Sequence, residues 1–244
     1  MGSPEGVSPP ISRVRSVKEG VSPPTSEVRS VNDAGGSRSS CFFEKAERNM
    51  EVLFQNFGFY HVNLDYLRYL HEVDSEVQFS NVKNYAAKPF LGIVVLVGQR
   101  PYVIPLTSAK PKHTKLRYAD SGHYLIYEEI SKEELTPKDI YKPISDTMVR
   151  KIFSMLEIKK MIPVREGLFS RIEFRDYDKR YADLLEKEYR FCQKIQDGIA
   201  EKAKRIYMDQ KRTGIVRAMH CNYAKLEAAC DQYEVKGEKA LAGV

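Results

Sequence analysis

The sequence predicts an α+β fold: a compact antiparallel β-sheet core with helices packed on it and a helical C-terminal third. Strand-like segments come first along the chain and helical ones last. The two most apolar strands, around 89–107, are separated by Gly98-Gln-Arg-Pro101, long enough for a hairpin turn and too short for a crossover. From Asp176 onward apolar residues recur at roughly helical spacing.

Taken in order, Gly58 to Asn63 is a short strand, and Asn63 caps a helix from Leu64 to about Asp74. Leu64, Leu67, Leu70 and Val73 form its apolar face, with Tyr66 and Tyr69 at the margin. Ser75 to Lys88 is a polar loop. Pro89 to Gly98 is apolar at nearly every position, which predicts a strand covered on both faces, and the chain returns as Tyr102 to Thr107. Gly122 to Glu128 is a further strand. Residues 131–156 are mixed, with Met148, Ile152, Phe153 and Leu156 predicting a helix in the second half. Ile158 to Val164 reads as a strand with Pro163 at its edge or end. Asp176 to Asp197 is a helix through Tyr181, Leu184, Leu185, Phe191, Cys192 and Ile195, interrupted by Glu188; Gly198 kinks or breaks it before Ile199 to Arg212. Asn222 caps the last helix, to Tyr233.

Composition narrows the function classes. Of 244 residues, 42% are hydrophobic, which suits one ordinary domain once the first 49 are set aside. There Glu5 to Lys18 recurs with few changes as Glu19 to Asn32, rich in Pro, Ser and Arg, so 1–49 is expected to be a disordered leader. No run of 18 apolar residues exists to span a membrane, and the N-terminus lacks the apolar stretch of a secretory signal. Cys41, Cys192, Cys221 and Cys230 show no CxxC spacing and read as free thiols of a reducing cytoplasm. The formal charge of +6 suits a nucleic-acid partner.

Chemistry concentrates between Tyr102 and Arg117. A strand ends in Thr107 and Ser108, and Lys110, Lys112, His113, Lys115 and Arg117 follow at once. Hydroxyl donors beside ammonium groups make a cradle for a phosphate; the plainer reading is a solvated basic loop. A second basic stretch holds Lys202, Lys204, Arg205, Lys211 and Arg212. No P-loop, GxGxxG, HExxH or GxSxG occurs, and His61, His71, His113, His123 and His220 are scattered. A hydrolase built here would work from hydroxyls and lysines without metal. RNA strand cleavage fits, because the nucleophile is the substrate's own 2′-hydroxyl.

Phe59-Tyr60, Tyr66-Leu-Arg-Tyr-Leu70, Lys88-Pro-Phe-Leu-Gly-Ile-Val94 and Pro105-Leu-Thr-Ser-Ala-Lys110 with His113 resemble the ToxN/AbiQ/CptN family of type III toxin–antitoxin endoribonucleases. Lys160-Met-Ile-Pro-Val164, the long basic helices and Cys221-Asn-Tyr continue the likeness, in consistent order over roughly 58–235. The resemblance implies a metal-independent ribonuclease without a cofactor, with a MazF-like sheet, spanning 50–235 and followed by a flexible tail, 236–244. A cognate antitoxin RNA of tandem repeats would inhibit it, would be trimmed by it and would assemble with it in a cyclic complex. Cellular or phage RNA would be its substrate.

Carried over, the active site is Tyr66, Lys88, Thr107, Ser108 and Lys110. Thr107 and Ser108 would hold the scissile phosphate, Lys88 and Lys110 would stabilise its charge, and Tyr66 would act near the leaving 5′-oxygen. Each has a plainer reading: a core tyrosine, a loop lysine, a simple turn. Lys112, His113, Lys115 and Arg117, with Lys202, Lys204, Arg205, Lys211 and Arg212, would bind RNA. A non-catalytic RNA-binding module is the alternative; a structural partner-binding domain is a third. Segment 1–49 and an insertion around 129–157 depart from the family pattern. Because family loci place repeats just before the toxin gene, 1–49 is alternatively antitoxin repeat DNA read in frame, with Met50 the natural start.

Overall fold

The computed structural model describes residues 53–79, 89–96 and 100–234. The leader 1–49, the tail 236–244, Cys41, Lys88 and Gly98 and Gln99 of the expected turn lie outside the described residues. Among the described residues eight strands form one antiparallel sheet, as the α+β reading requires: β1 (Leu53–Val62), β2 (Phe90–Leu96), β3 (Arg100–Ser108), β4 (Tyr124–Ser131), β5 (Ile140–Pro143), β6 (Met148–Leu156), β7 (Ile162–Pro163) and β8 (Phe169–Arg171). Their order is β4-β6-β3-β2-β1-β8, with β5 on β6 and β7 on β3. The helices of the described residues are α1 (Leu64–Val73), α2 (Lys179–Lys194), α3 (Gln196–Thr213) and α4 (Tyr223–Gln232). The narrower MazF-like assignment of the sheet stays a proposal.

The start of α1 is fixed as its sequence dictates. Asn63 Oδ1 accepts from the backbone N–H of Asp65 (2.9 Å) and Tyr66 (3.0 Å), satisfying two donors that the first turn leaves open. The buried face is Tyr66, Leu67 and Leu70; Leu64, expected inside, is 41% exposed. Asp178 caps α2 and Asn222 caps α4 in the same way, and Gly214 ends α3 with φ 67°, the left-handed conformation that glycine adopts most cheaply. The break between α2 and α3 falls at Ile195, not at Gly198. Gly198 lies in the first turn of α3, where a Cβ would stand 2.7 Å from the Tyr124 hydroxyl.

Two sequence expectations fail instructively. The helix expected in the second half of 131–156 is β6. Ile126 faces Ser154 while the next residue, Tyr127, faces Ile152, so Phe153 is an extra residue in the ladder. That bulge breaks the two-residue alternation and leaves apolar residues at spacings of three and four. Ile158 to Val164 is not a continuous strand: a 3₁₀ turn, Ile158–Lys160, precedes the two-residue β7.

The main core lies between the sheet and the helices, around Phe59, Tyr66, Leu91, Tyr102, Ile104, Ile199 and Tyr223. A smaller cluster, Leu125, Ile152 and Met155, is covered by Ala109, Leu116 and Tyr118 of the segment after β3. Cys192, Cys221 and Cys230 are buried free thiols. Glu188, which interrupted the apolar row of α2, is 5% exposed, and burial pushes its carboxyl up to about 7 despite the Ser154 hydroxyl beside it.

That shift makes stability depend on pH. The folded chain holds a proton on Glu188 that the unfolded chain, near 4.5, releases earlier. Stability is therefore fully present below about pH 4.5 and falls as pH rises towards 7, by about 3 kcal/mol. Glu188→Gln removes this loss: its melting temperature should exceed that of the wild type at pH 8 by more than at pH 5. An equal difference at both values would show that Glu188 is ionised in the fold.

Candidate active site

The site is built on the end of β3. Leu106, Thr107 and Ser108 pair with Leu156, Met155 and Ser154 of β6, and Ala109 N–H donates to Phe153 O (3.0 Å). Successive strand residues face opposite sides of a sheet, so Thr107 and Ser108 cannot form one cradle. Thr107 faces inward at 8% exposure; Ser108 is exposed.

Ser108 opens into a cavity of about 810 Å³ between β5, β6 and the start of α2. Lys138, Lys151, Arg180 and Lys187 stand on its walls, and Phe153 and Tyr181 offer ring surface. Lys151 pairs with Asp139 (2.9 Å) and Lys187 with Glu128 (2.6 Å), whereas Arg180 makes no ion pair among the described residues. Lys110 follows on the exposed surface. A hydroxyl, an ammonium and a guanidinium near one concave wall form a surface on which a phosphodiester is stabilised.

Thr107 faces a different environment. Its hydroxyl donates to Glu157 Oε1 (2.8 Å), and the Gln78 side-chain amide donates both to Thr107 Oγ1 (2.8 Å) and to Glu157 Oε1 (2.8 Å). Thr107 thus turns its proton to a buried carboxylate in this structure. Glu157 and Gln78 were missed in the sequence; the available signal was a lone acid inside the apolar run Met155-Leu156-Glu157-Ile158.

His113 supports this corner and is not presented to solvent for RNA binding. It sits in a 3₁₀ turn, Pro111–Lys115, and is fully buried. Its Nδ1 accepts from the Lys110 backbone N–H (3.3 Å), while the His113 backbone N–H donates to Lys110 O (2.8 Å), so the side chain helps shape the turn that carries Lys110. Burial pushes its pKa down, and Lys112 adds to this against the pull of Glu157. The imidazole is therefore neutral, and because Nδ1 accepts, its proton sits on Nε2, which is buried without a hydrogen-bond partner among the described residues.

Tyr66 is a second correction. It is fully buried, its hydroxyl donates to Pro163 O (2.8 Å), its ring packs on Tyr233, and burial pushes its pKa far up. The plainer reading, a core tyrosine of the first helix, describes what is seen. Lys112, Lys115 and Arg117 are exposed beside Lys110.

The α3 cations are placed elsewhere. Lys204, Arg205 and Arg212 line a separate cavity of about 770 Å³. Lys202 lies over the Tyr124 ring (3.4 Å), and burial lowers its pKa. Lys211 donates to Glu227 (2.5 Å), whose other oxygen accepts from Tyr102 and Tyr207. Arg212 pairs with Asp209 (3.4 Å). The structure does not bring this stretch to Ser108.

Comparison with known proteins bears on this site. The family described as toxin ToxN of type III toxin–antitoxin systems matches residues 58–231. A protein named endoribonuclease ToxN from Bacillus thuringiensis subsp. kurstaki is 23% identical over 190 residues, covering 74% of this chain and 86% of its own. Its namesake from Pectobacterium atrosepticum is 25% identical over 188 residues, covering 75% and 95%. Among solved structures, that of a type III toxin inhibited by a non-coding RNA pseudoknot matches at TM-score 0.56 and 22% identity, covering 73% of this chain and 98% of its own. The lactococcal anti-phage endoribonuclease AbiQ matches at TM-score 0.55 and 20% identity, covering 72% and 97%. The structures establish the shared fold.

The buried position of Tyr66 has a measurable consequence. Tyr66→Phe leaves the Pro163 carbonyl without its donor and should lower unfolding free energy by about 1–2 kcal/mol in denaturant titration. Unchanged stability would mean that the hydroxyl is not bonded there.

Proposed function

The chain belongs to the ToxN family of type III toxin–antitoxin toxins, and as such, we infer, it is an endoribonuclease toxin restrained by an antitoxin RNA. The finer reading we propose is cleavage without a metal, by attack of the substrate's own 2′-hydroxyl. The observation that carries it is the placing of the Leu-Thr-Ser-x-Lys motif: Ser108 and Lys110 lie exposed at a strand end beside a cavity walled by Lys151, Lys187 and Arg180.

The steps follow from what these groups can do. Ser108 donates to a non-bridging phosphate oxygen, and Lys110 neutralises charge as the phosphorane forms. The 2′-oxygen bonds to phosphorus and the bond to the 5′-oxygen breaks, giving a 2′,3′-cyclic phosphate and a 5′-hydroxyl. Lys88 is carried by the family motif alone, and Lys112, Lys115 and Arg117 extend the cationic surface along a bound strand. Residues 50–235 make up the ribonuclease domain. Its substrates are cellular or phage RNA in the cytoplasm, so its release from the antitoxin arrests growth and limits phage. The antitoxin is a repeat RNA that the toxin trims and with which it assembles cyclically.

The test is direct. Purified protein incubated with RNA in EDTA should cut it and leave 2′,3′-cyclic ends. Ser108→Ala or Lys110→Ala should lower the rate ~10²–10³-fold at unchanged melting temperature, the usual effect of losing one stabilising donor. Binding without cleavage by the wild type would support the non-catalytic alternative; 3′-hydroxyl products would point to a different mechanism.

A further inference from the structure

Phe153 owes its place to the bulge in β6 and not to the alternation of the strand. Its neighbours Ile152 and Met155 pack in the smaller cluster under the Ala109–Tyr118 segment. Phe153, the extra residue, packs instead against the main core and lines the Ser108 cavity. A bulge re-aims a side chain without ending its strand, and bulges are frequent beside active sites. The group re-aimed here is a ring, and its backbone is tied to the strand end that carries the proposed chemistry. Ser108 pairs with Ser154, and the next residue, Ala109, donates its N–H to Phe153 O (3.0 Å). The ring therefore springs from one strand position beyond Ser108, about 3.4 Å along the ladder.

The cavity has the size and the charge for one nucleotide. Its volume of about 810 Å³ falls within the range of roughly 300–1,000 Å³ usual for pockets that enclose a small ligand. Two of its acids are already engaged: Asp139 holds Lys151 (2.9 Å), and Asp178 Oδ1 accepts from the Tyr181 backbone N–H (3.1 Å). Lys138, Lys179 and Arg180 also stand on the lining, in no ion pair among the described residues. A half-buried ring serves a base, which brings a flat π-face, and unneutralised cations serve the phosphate beside it.

Resting on the reading that the chain cleaves RNA at Ser108, we propose that this cavity is a nucleotide subsite: Phe153 stacks a base flanking the cleaved bond, and Arg180 binds the phosphate beyond it. In the free protein Lys187 Nζ lies over the Phe153 ring, 5.7 Å from its centroid, and is otherwise held by Glu128 in an exposed pair (2.6 Å). Exposed pairs of this kind contribute little, so the entering base displaces Lys187 from the ring towards a phosphate at small cost. Stacking tolerates any base, so the ring demands that a base be present and sets how firmly the strand is held across Ser108.

The experiment uses purified full-length protein and an RNA oligonucleotide that it cuts at a single bond. Two further oligonucleotides each lack one of the bases flanking that bond but keep every ribose and phosphate. Loss of the base that Phe153 holds should lower kcat/KM ~10–100-fold, the usual effect of one missing base–ring stack. Phe153→Leu keeps the apolar bulk without the ring; it should lower kcat/KM ~10-fold on the intact oligonucleotide and leave cleavage of the sensitive abasic one unchanged. Phe153→Tyr, which restores a ring, should cut like the wild type. Arg180→Ala should raise KM with kcat kept, as for a contact made equally before and during the reaction. Equal wild-type cleavage of the intact and both abasic oligonucleotides would overturn the subsite, even if Phe153→Leu failed to fold. Equal slowing of all three by Phe153→Leu would show a purely structural ring, and an unchanged KM in Arg180→Ala would remove the phosphate contact. Wild-type protein that cuts no RNA would overturn the parent reading instead, so the two failures are distinguishable.

Discussion

A three-residue ladder holds the molecule's chemistry in place. Leu106, Thr107 and Ser108 of β3 pair with Leu156, Met155 and Ser154 of β6, joining the β1–β3 part of the sheet to the β4–β6 part. Because the pleat alternates, this register sends Ser108 to the α2 side and Thr107 to the side covered by the Ala109–Tyr118 segment. The same ladder carries Glu157, one residue past β6, back to Thr107. A slip of one residue would exchange the two hydroxyls between faces and separate the acid from its partner.

Two kinds of charge then share the work. The exposed cations at Lys110, Lys112, Lys115 and Arg117 are solvated and act on a polyanion by attraction that salt weakens. Thr107, His113 and Glu157 are buried with Gln78 half-buried, so their hydrogen bonds are stronger than on the surface, and His113 Nε2, unpartnered among the described residues, is costly to keep. Lys211 is the contrasting case: held by Glu227 with Tyr102 and Tyr207, it stabilises the junction of α3, α4 and β3.

Much of this was legible in the sequence where local chemistry rules. Asn63 capping α1, Asn222 capping α4 and the apolar run of β2 each follow from a few neighbouring residues. The Thr107-Ser108-x-Lys110 strand end was legible too, because charge follows hydroxyls abruptly. What was not legible depends on distant contacts. The bulge at Phe153 made a strand imitate a helix. Burial of Tyr66 is set by Pro163 and Tyr233, nearly a hundred residues or more away in the chain. The cationic wall of the Ser108 cavity comes from Lys138, Lys151, Arg180 and Lys187, far apart in sequence and drawn together by β5, β6 and α2. The basic stretch of α3 was conspicuous as composition, yet tertiary structure pairs Lys211 with Glu227 of α4 and places the stretch away from Ser108, while Arg212 pairs with Asp209 one turn back in α3.

The most direct measurement is a crystal structure of the chain with an RNA oligonucleotide carrying a single 2′-deoxy nucleotide at the cleavage position, which binds without reacting. The account predicts the scissile phosphate within hydrogen-bond distance of Ser108 Oγ and Lys110 Nζ. A phosphate bound instead in the α3 cavity, with Ser108 and Lys110 untouched, would contradict it.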